Sequence, residues 1–108
     1  MVGGEVEIEQ AVRIILGTSP GQRVMRPEFG CRLQELVFAP NNSRTAGLAE
    51  RYVREALGRW EPRIRVTAVS VSTDNQHEGQ LSIGVEYLIK ATHSSRSLVY
   101  PFYLIPEE

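Results

Sequence analysis

Apolar residues recur first at helical spacing and later at every second position, and that change of period divides the chain. Ile8, Val12, Ile15 and Leu16 repeat three to four apart, so residues 5 to 16 are predicted to form an amphipathic helix. Glu5, Glu7 and Glu9 sit near its positive end, and Gly17 stops it. In "TSPGQ", Pro20 and Gly21 stand in the order a type II turn requires. The next stretch, "RVMRPEFGCRL", reads as loop punctuated by Pro27 and Gly30, and Leu33, Leu36, Val37 and Phe38 predict a short helix ending ahead of Pro40. "NNS" at 41 to 43 offers cap residues for a longer helix over 44 to 60. Its apolar stripe is Leu48, Ala49, Tyr52, Val53, Ala56, Leu57 and Trp60. On the other face Glu50 pairs with Arg54 and Arg51 with Glu55, four apart.

Pro62 disfavours the α conformation at Glu61, so this helix is predicted to end there and the chain to leave extended. Ile64, Val66 and Ala68 then alternate, and Val69 and Val71 take the opposite phase, which predicts a bulge near Ala68 or apolar contact on both faces. "TDNQHEG" is a polar turn. Leu81, Ile83, Val85, Tyr87, Ile89 and Ala91 alternate through six positions, the strongest strand signal of the chain. "HSSRS" reads as a second polar connection, leading to "LVYPFYLI". There Leu98, Tyr100, Phe102 and Leu104 face one way and Val99, Pro101, Tyr103 and Ile105 the other, so both faces are apolar. Pro101 cannot donate to a ladder, which places the segment at a sheet edge. Such an edge invites aggregation unless a partner or the protein's own helices cover it. The predicted fold class is α+β: N-terminal helices packed on a three-stranded, mainly antiparallel C-terminal sheet, as one domain over residues 1 to 108.

The totals fit one core. The chain has 108 residues, 42% of them hydrophobic and 23% charged, which is ordinary for a globular domain. A net charge of -1 argues against a nucleic-acid partner, since phosphate binding needs a basic excess. All basic residues except Lys90 are arginine, which suits bidentate contacts to carboxylates but also follows from codon bias. The lone Cys31 rules out an internal disulfide and fits a reducing compartment. No apolar run approaches a membrane span and the acidic start has no apolar leader core, so the protein is expected to be cytosolic where it is made.

Candidate chemistry is sparse. A catalytic Cys31 would need a histidine, but His77 and His93 sit in polar turns, and these three residues show no metal-ligand spacing. "GTSPGQR" lacks the lysine and hydroxyl of a phosphate loop. No cofactor or metal is expected. Glycoside hydrolysis needs two carboxyl groups, one with a raised pKa, and nothing in the spacing of Glu28, Glu35, Glu61 and Glu86 selects a pair. Glu61 alone stands in an unusual setting. Together with Arg63 it flanks Pro62, two residues apart and on one side of an extended chain. One reading is a helix stop with a surface ion pair worth about 0 to 1 kcal/mol. The other is a rigid, charged and aromatic corner built on Trp60, because tryptophan and arginine dominate interface energetics. Composition does not choose between them.

Three stretches taken in order, "VRIILGTSPGQRVMRPEFGCRL", "WEPRI" and "LVYPFYL", resemble the lysozyme-like baseplate wedge family of contractile phage tails, type VI secretion systems and contractile injection particles. The resemblance covers residues 6 to 105. It rests on a run matched by Thr18, Pro20, Gly21, Arg23, Met25, Pro27, Phe29 and Gly30, and on a Glu-Pro-Arg signature matched by Glu61, Pro62 and Arg63. It implies an α+β domain similar to the tail-sheath handshake domain, and a structural role in a baseplate. Trp60, Glu61, Pro62 and Arg63 would dock on the core bundle of the other wedge subunits. Leu98, Val99, Tyr100, Phe102 and Tyr103 would receive a strand from the tail sheath protein as the first sheath ring assembles. About six copies per baseplate follow by analogy with six-fold symmetry. The family's lysozyme label raises an alternative, an acid-type peptidoglycan hydrolase. Two departures stand out: family members often carry a longer N-terminal extension rich in Gly, Phe and Pro, and Gln22 stands where a glutamate is frequent.

Overall fold

Val2–Gly17 forms the first helix, α1, three residues longer at its start than the apolar period indicates. A computed structural model describes residues 2–22, 25–73 and 79–105 of the chain. Arg23 and residues 74–78, with His77, lie outside the described residues. Ile8, Val12, Ile15 and Leu16 are all buried, so the 3.6-residue period identified the correct face. A single 3-10 turn, Arg32–Leu36, replaces the short helix and buries Leu33 and Leu36. Phe38, expected to share that face, is 59% exposed.

The second helix, α2, spans Ser43–Trp60, and Asn42 caps it by accepting the Thr45 N–H at 3.0 Å. Ala49, Val53, Ala56 and Leu57 are buried, while Leu48, Tyr52 and Trp60 pack half-buried at the margins. Both predicted ion pairs form on the outer face, Arg54–Glu50 at 3.3 Å and Arg51–Glu55 at 3.2 Å.

Three strands follow as an antiparallel meander in the order β1, β2, β3: β1 Ile64–Thr73, β2 Gln80–Ile89 and β3 Ser94–Tyr103. The register of β1 against β2 shifts between Val66 and Ala68, a bulge, which is one of the two readings that the change of phase allowed. It returns Val69 to the covered face beside Val85. β2 buries Leu81, Ile83, Val85, Tyr87 and Ile89 and ends there, so Ala91 lies in the turn, exposed.

β3 begins four residues earlier than expected. The connection is only residues 90–93, closed by His93 at φ 56, and Ser94–Ser97 pair with Ile89–Glu86. "HSSRS" reads as loop because it lacks apolar residues. At a sheet edge, however, a strand can hold serines and an arginine in contact with water, and the ladder to β2 supplies the order that side-chain burial does not.

One backbone bond fixes which groups of β3 the ladder turns outward. Leu104 N–H donates to the Gly79 carbonyl at 2.5 Å, and bonded pairs alternate along an antiparallel ladder. Carried through the register, that phase turns the backbone groups of Ser95, Ser97, Val99, Pro101 and Tyr103 away from β2. Pro101 therefore removes no ladder bond; its missing N–H would have pointed outward. Among the described residues no helix is long and apolar enough to cross a membrane, and no group of three His, Cys, Asp or Glu is placed to hold a metal ion.

Candidate partner-binding surface

The Glu-Pro-Arg corner is tighter than its sequence suggests. Residues 62 and 63 form a turn, with Ile64 N–H reaching the Glu61 carbonyl at 3.4 Å, and the strand starts only at Ile64. Pro62 ends the helix as expected, but the chain reverses there instead of leaving extended. The turn folds Arg63 back onto Glu61. Arg63 Nε donates to Oε1 at 2.7 Å and Nη2 to Oε2 at 2.8 Å, a two-pronged match of guanidinium and carboxylate. The Arg63 backbone N–H adds a third contact at 3.3 Å.

The two partners differ sharply in access. Glu61 is buried, its side chain 3% exposed, whereas the Arg63 side chain is 50% exposed. Hydrogen bonding from Arg63 holds the Glu61 carboxyl below the usual carboxylate range, against the opposing effect of burial. The carboxylate is thus spent within the chain and cannot itself meet a partner. It orients the guanidinium, whose outer side remains in solvent.

The loop motif and the corner meet in space, which the sequence does not reveal. Thr18 Oγ1 donates to the Ile14 carbonyl at 2.6 Å, and Gln22 N–H reaches the Ser19 carbonyl at 3.2 Å across the Pro20–Gly21 turn. Gly21 has φ +96, as a type II turn demands. Gly21 N–H also bonds the Pro27 carbonyl at 2.6 Å, and Cys31 N–H bonds the Thr18 carbonyl at 2.8 Å, closing the loop at its base. The closed loop carries Phe29 onto Trp60, edge to face with ring centroids 5.2 Å apart, and Glu28 onto Arg59. Arg59 in turn stacks over the Trp60 ring at 4.9 Å. A shallow groove of about 300 Å³ runs beside this corner between Pro27, Tyr52 and Trp60. Met25, on the same loop, is 91% exposed.

The second predicted surface divides into two. Leu98 and Phe102 are buried in the protein's own core and Tyr100 is half-buried, so their side chains do not face a partner. Val99 and Tyr103 are open to solvent, at 59% and 62% exposure, with Pro101 exposed between them. Alternation along the strand decides this: one face belongs to the helices, the other to solvent.

The remaining candidates are accounted for singly. Glu28 pairs with Arg59 and Glu35 with Arg32, whose hydrogen bond lowers the Glu35 pKa, and Glu86 is exposed. Cys31 is 1% exposed, its thiol donates to the Tyr52 carbonyl at 3.5 Å, and burial pushes its pKa up to about 11. A thiol reagent at pH 8 is expected to modify the native protein about two orders of magnitude more slowly than the urea-unfolded chain. Equal rates would show the thiol to be open to solvent.

A family model described as "Baseplate wedge protein gp25" matches residues 2–94. Baseplate wedge protein gp25 of Enterobacteria phage T4 is 38% identical over 64 residues, which span 59% of this chain and 48% of that protein, so the match covers about half of the phage protein's length. Baseplate protein W of Escherichia phage P2 is 30% identical over 94 residues, 87% of this chain and 80% of its own. Among solved structures, a Geobacter sulfurreducens protein provisionally called a tail lysozyme shares 48% identity at a TM-score of 0.87, covering 94% of this chain and 92% of its own. A chain of the postcontracted pyocin R2 baseplate shares 28% identity at a TM-score of 0.60, covering 91% and 83% respectively.

Proposed function

The chain belongs to the gp25 family of baseplate wedge proteins, and from that membership we propose that it is a structural joint of a tail baseplate, held to the other wedge subunits at the Trp60–Arg63 corner and offering the β3 edge to a strand of the tail sheath. The single domain would then serve as a counterpart of the sheath's own handshake domain, in about six copies per baseplate. The observation that carries this reading is the β3 edge, which no further strand covers among the described residues, beside exposed Val99, Pro101 and Tyr103. An added strand would gain backbone hydrogen bonds along the edge and apolar contact on the open face.

An acid-type hydrolase finds no support in the geometry of the carboxylates. A general acid needs a pKa raised by an apolar pocket, whereas Glu35 and Glu61 are both shifted downward by arginines.

Ser97→Pro tests the strand-addition reading. It removes an outward N–H and no ladder bond, as Pro101 already does four residues on. The variant is expected to melt within a few degrees of the wild type but to lose capture of the sheath subunit of its own tail. Undiminished capture would refute addition at this edge.

A further inference from the structure

One acceptor on the β3 edge is already taken. Arg13 Nη1 donates to the Val99 carbonyl at 3.2 Å, across 86 residues of sequence. That carbonyl is one of the groups the ladder turns outward. The contact is one of a row along α1. Glu5 pairs with Arg96 of β3, Glu9 supports Arg13 at 3.4 Å, and the far end of the helix brings Gly17 against the Tyr100 hydroxyl. The helix therefore runs beside β3 in the same direction and holds it through side chains that are each 39 to 48% exposed.

The remaining outward groups of β3 form an incomplete edge. Val99 offers its N–H but not a free carbonyl, and Pro101 offers a carbonyl but has no N–H. Mid-edge, the protein thus presents two consecutive positions at which another strand finds half of its partners absent. Exposed charge and proline at an edge are what keep sheets from pairing indiscriminately.

We infer that Arg13 guards the β3 edge, its guanidinium holding the Val99 carbonyl in the free protein and giving it up to a backbone N–H of the strand that joins there. The inference rests on the proposed strand addition and specifies the partner strand further. Residues of that strand paired opposite Val99, Pro101 and Tyr103 point to the open face, and apolar side chains there meet three exposed apolar ones. The exchange replaces one exposed, charge-assisted hydrogen bond by a backbone bond, so the guard is weak enough to be displaced yet penalises strands that bring nothing else.

The test uses the full chain and a labelled peptide copying the terminal extended segment of the sheath subunit from the same tail. Arg13→Ala is expected to bind that peptide about two- to fivefold more tightly than the wild type, because the guard no longer competes. Adding Ser97→Pro should abolish the gain. A purely structural role for Arg13 would weaken binding. If the wild type binds, Ser97→Pro prevents it, and Arg13→Ala binds equally or less well, the guard is refuted while strand addition stands. If no variant binds the peptide, strand addition fails and the guard with it.

Discussion

Gly30→Ala is expected to cost on the order of 3 kcal/mol, the largest single-residue effect on stability foreseen for this chain. The glycine has φ +129, a conformation that side chains rarely adopt, and a Cβ built there would lie 2.3 Å from the Thr18 carbonyl oxygen and 2.9 Å from its carbon. Both obstacles are backbone atoms, so no rotamer change relieves the overlap. The same Thr18 oxygen accepts from Cys31 N–H at 2.8 Å, so pushing it away opens the base of the loop. The loop then loses its hold on Phe29, and with it the edge-to-face packing of Trp60. At about 5 °C per kcal/mol, the melting point should fall by about 15 °C. Gly58→Ala is the matched control: it is exposed in α2 with nothing within 4 Å of its built Cβ, and should be neutral or stabilising by up to about 1 kcal/mol. Similar melting points for the two variants would refute the clasp.

This contrast also shows what the sequence discloses and what it withholds. Period alone located both long helices and all three strands, because each rests on a face that must be buried, and Ile8, Val12, Val53 or Ile83 announce that face locally, while the change of phase in β1 left the bulge as one of two readings. It missed Ser94–Ser97, whose order comes from pairing with β2 and not from their own burial. The corner was half legible. Pro62 marks the end of the helix, but nothing in "WEPRI" says that Glu61 is buried and Arg63 half exposed, since the turn that divides their roles depends on the Glu61 side chain folding against it. Contacts distant in sequence were not legible at all. Phe29 on Trp60, Glu28 on Arg59 and Arg13 on Val99 are set by how the elements pack, and no spacing in one chain encodes them.

Arg63→Ala is expected to remove docking on the wedge subunits and to destabilise the fold by about 2 kcal/mol at neutral pH. Glu61 would stay buried at the turn with neither oxygen paired to a guanidinium, and an unpaired carboxylate shielded from water is costly. The figure is held below that of a deep ion pair because the cover is thin: half of the Arg63 side chain is in solvent, which screens the pair. The pH dependence gives the cause a signature. Arg63 lowers the folded-state pKa of Glu61, so the stability it confers is complete above the unfolded value of about 4.3 and is lost as pH falls through the folded one. The deficit of Arg63→Ala should therefore be largest at neutral pH, shrink as the pH falls below about 4, and vanish only below the lowered folded-state value, where both proteins bury a neutral acid. A deficit that stays constant down to pH 2 would mean that packing, not charge, is lost. Docking is read separately, at a temperature where the variant is fully folded. Arg63→Lys keeps the charge but not the two-pronged fit to Glu61, and should recover stability in part while docking poorly, because the free side of the guanidinium is what a partner carboxylate or carbonyl would meet. Folded Arg63→Ala that still co-purifies with the wedge subunits would confine this corner to a structural role.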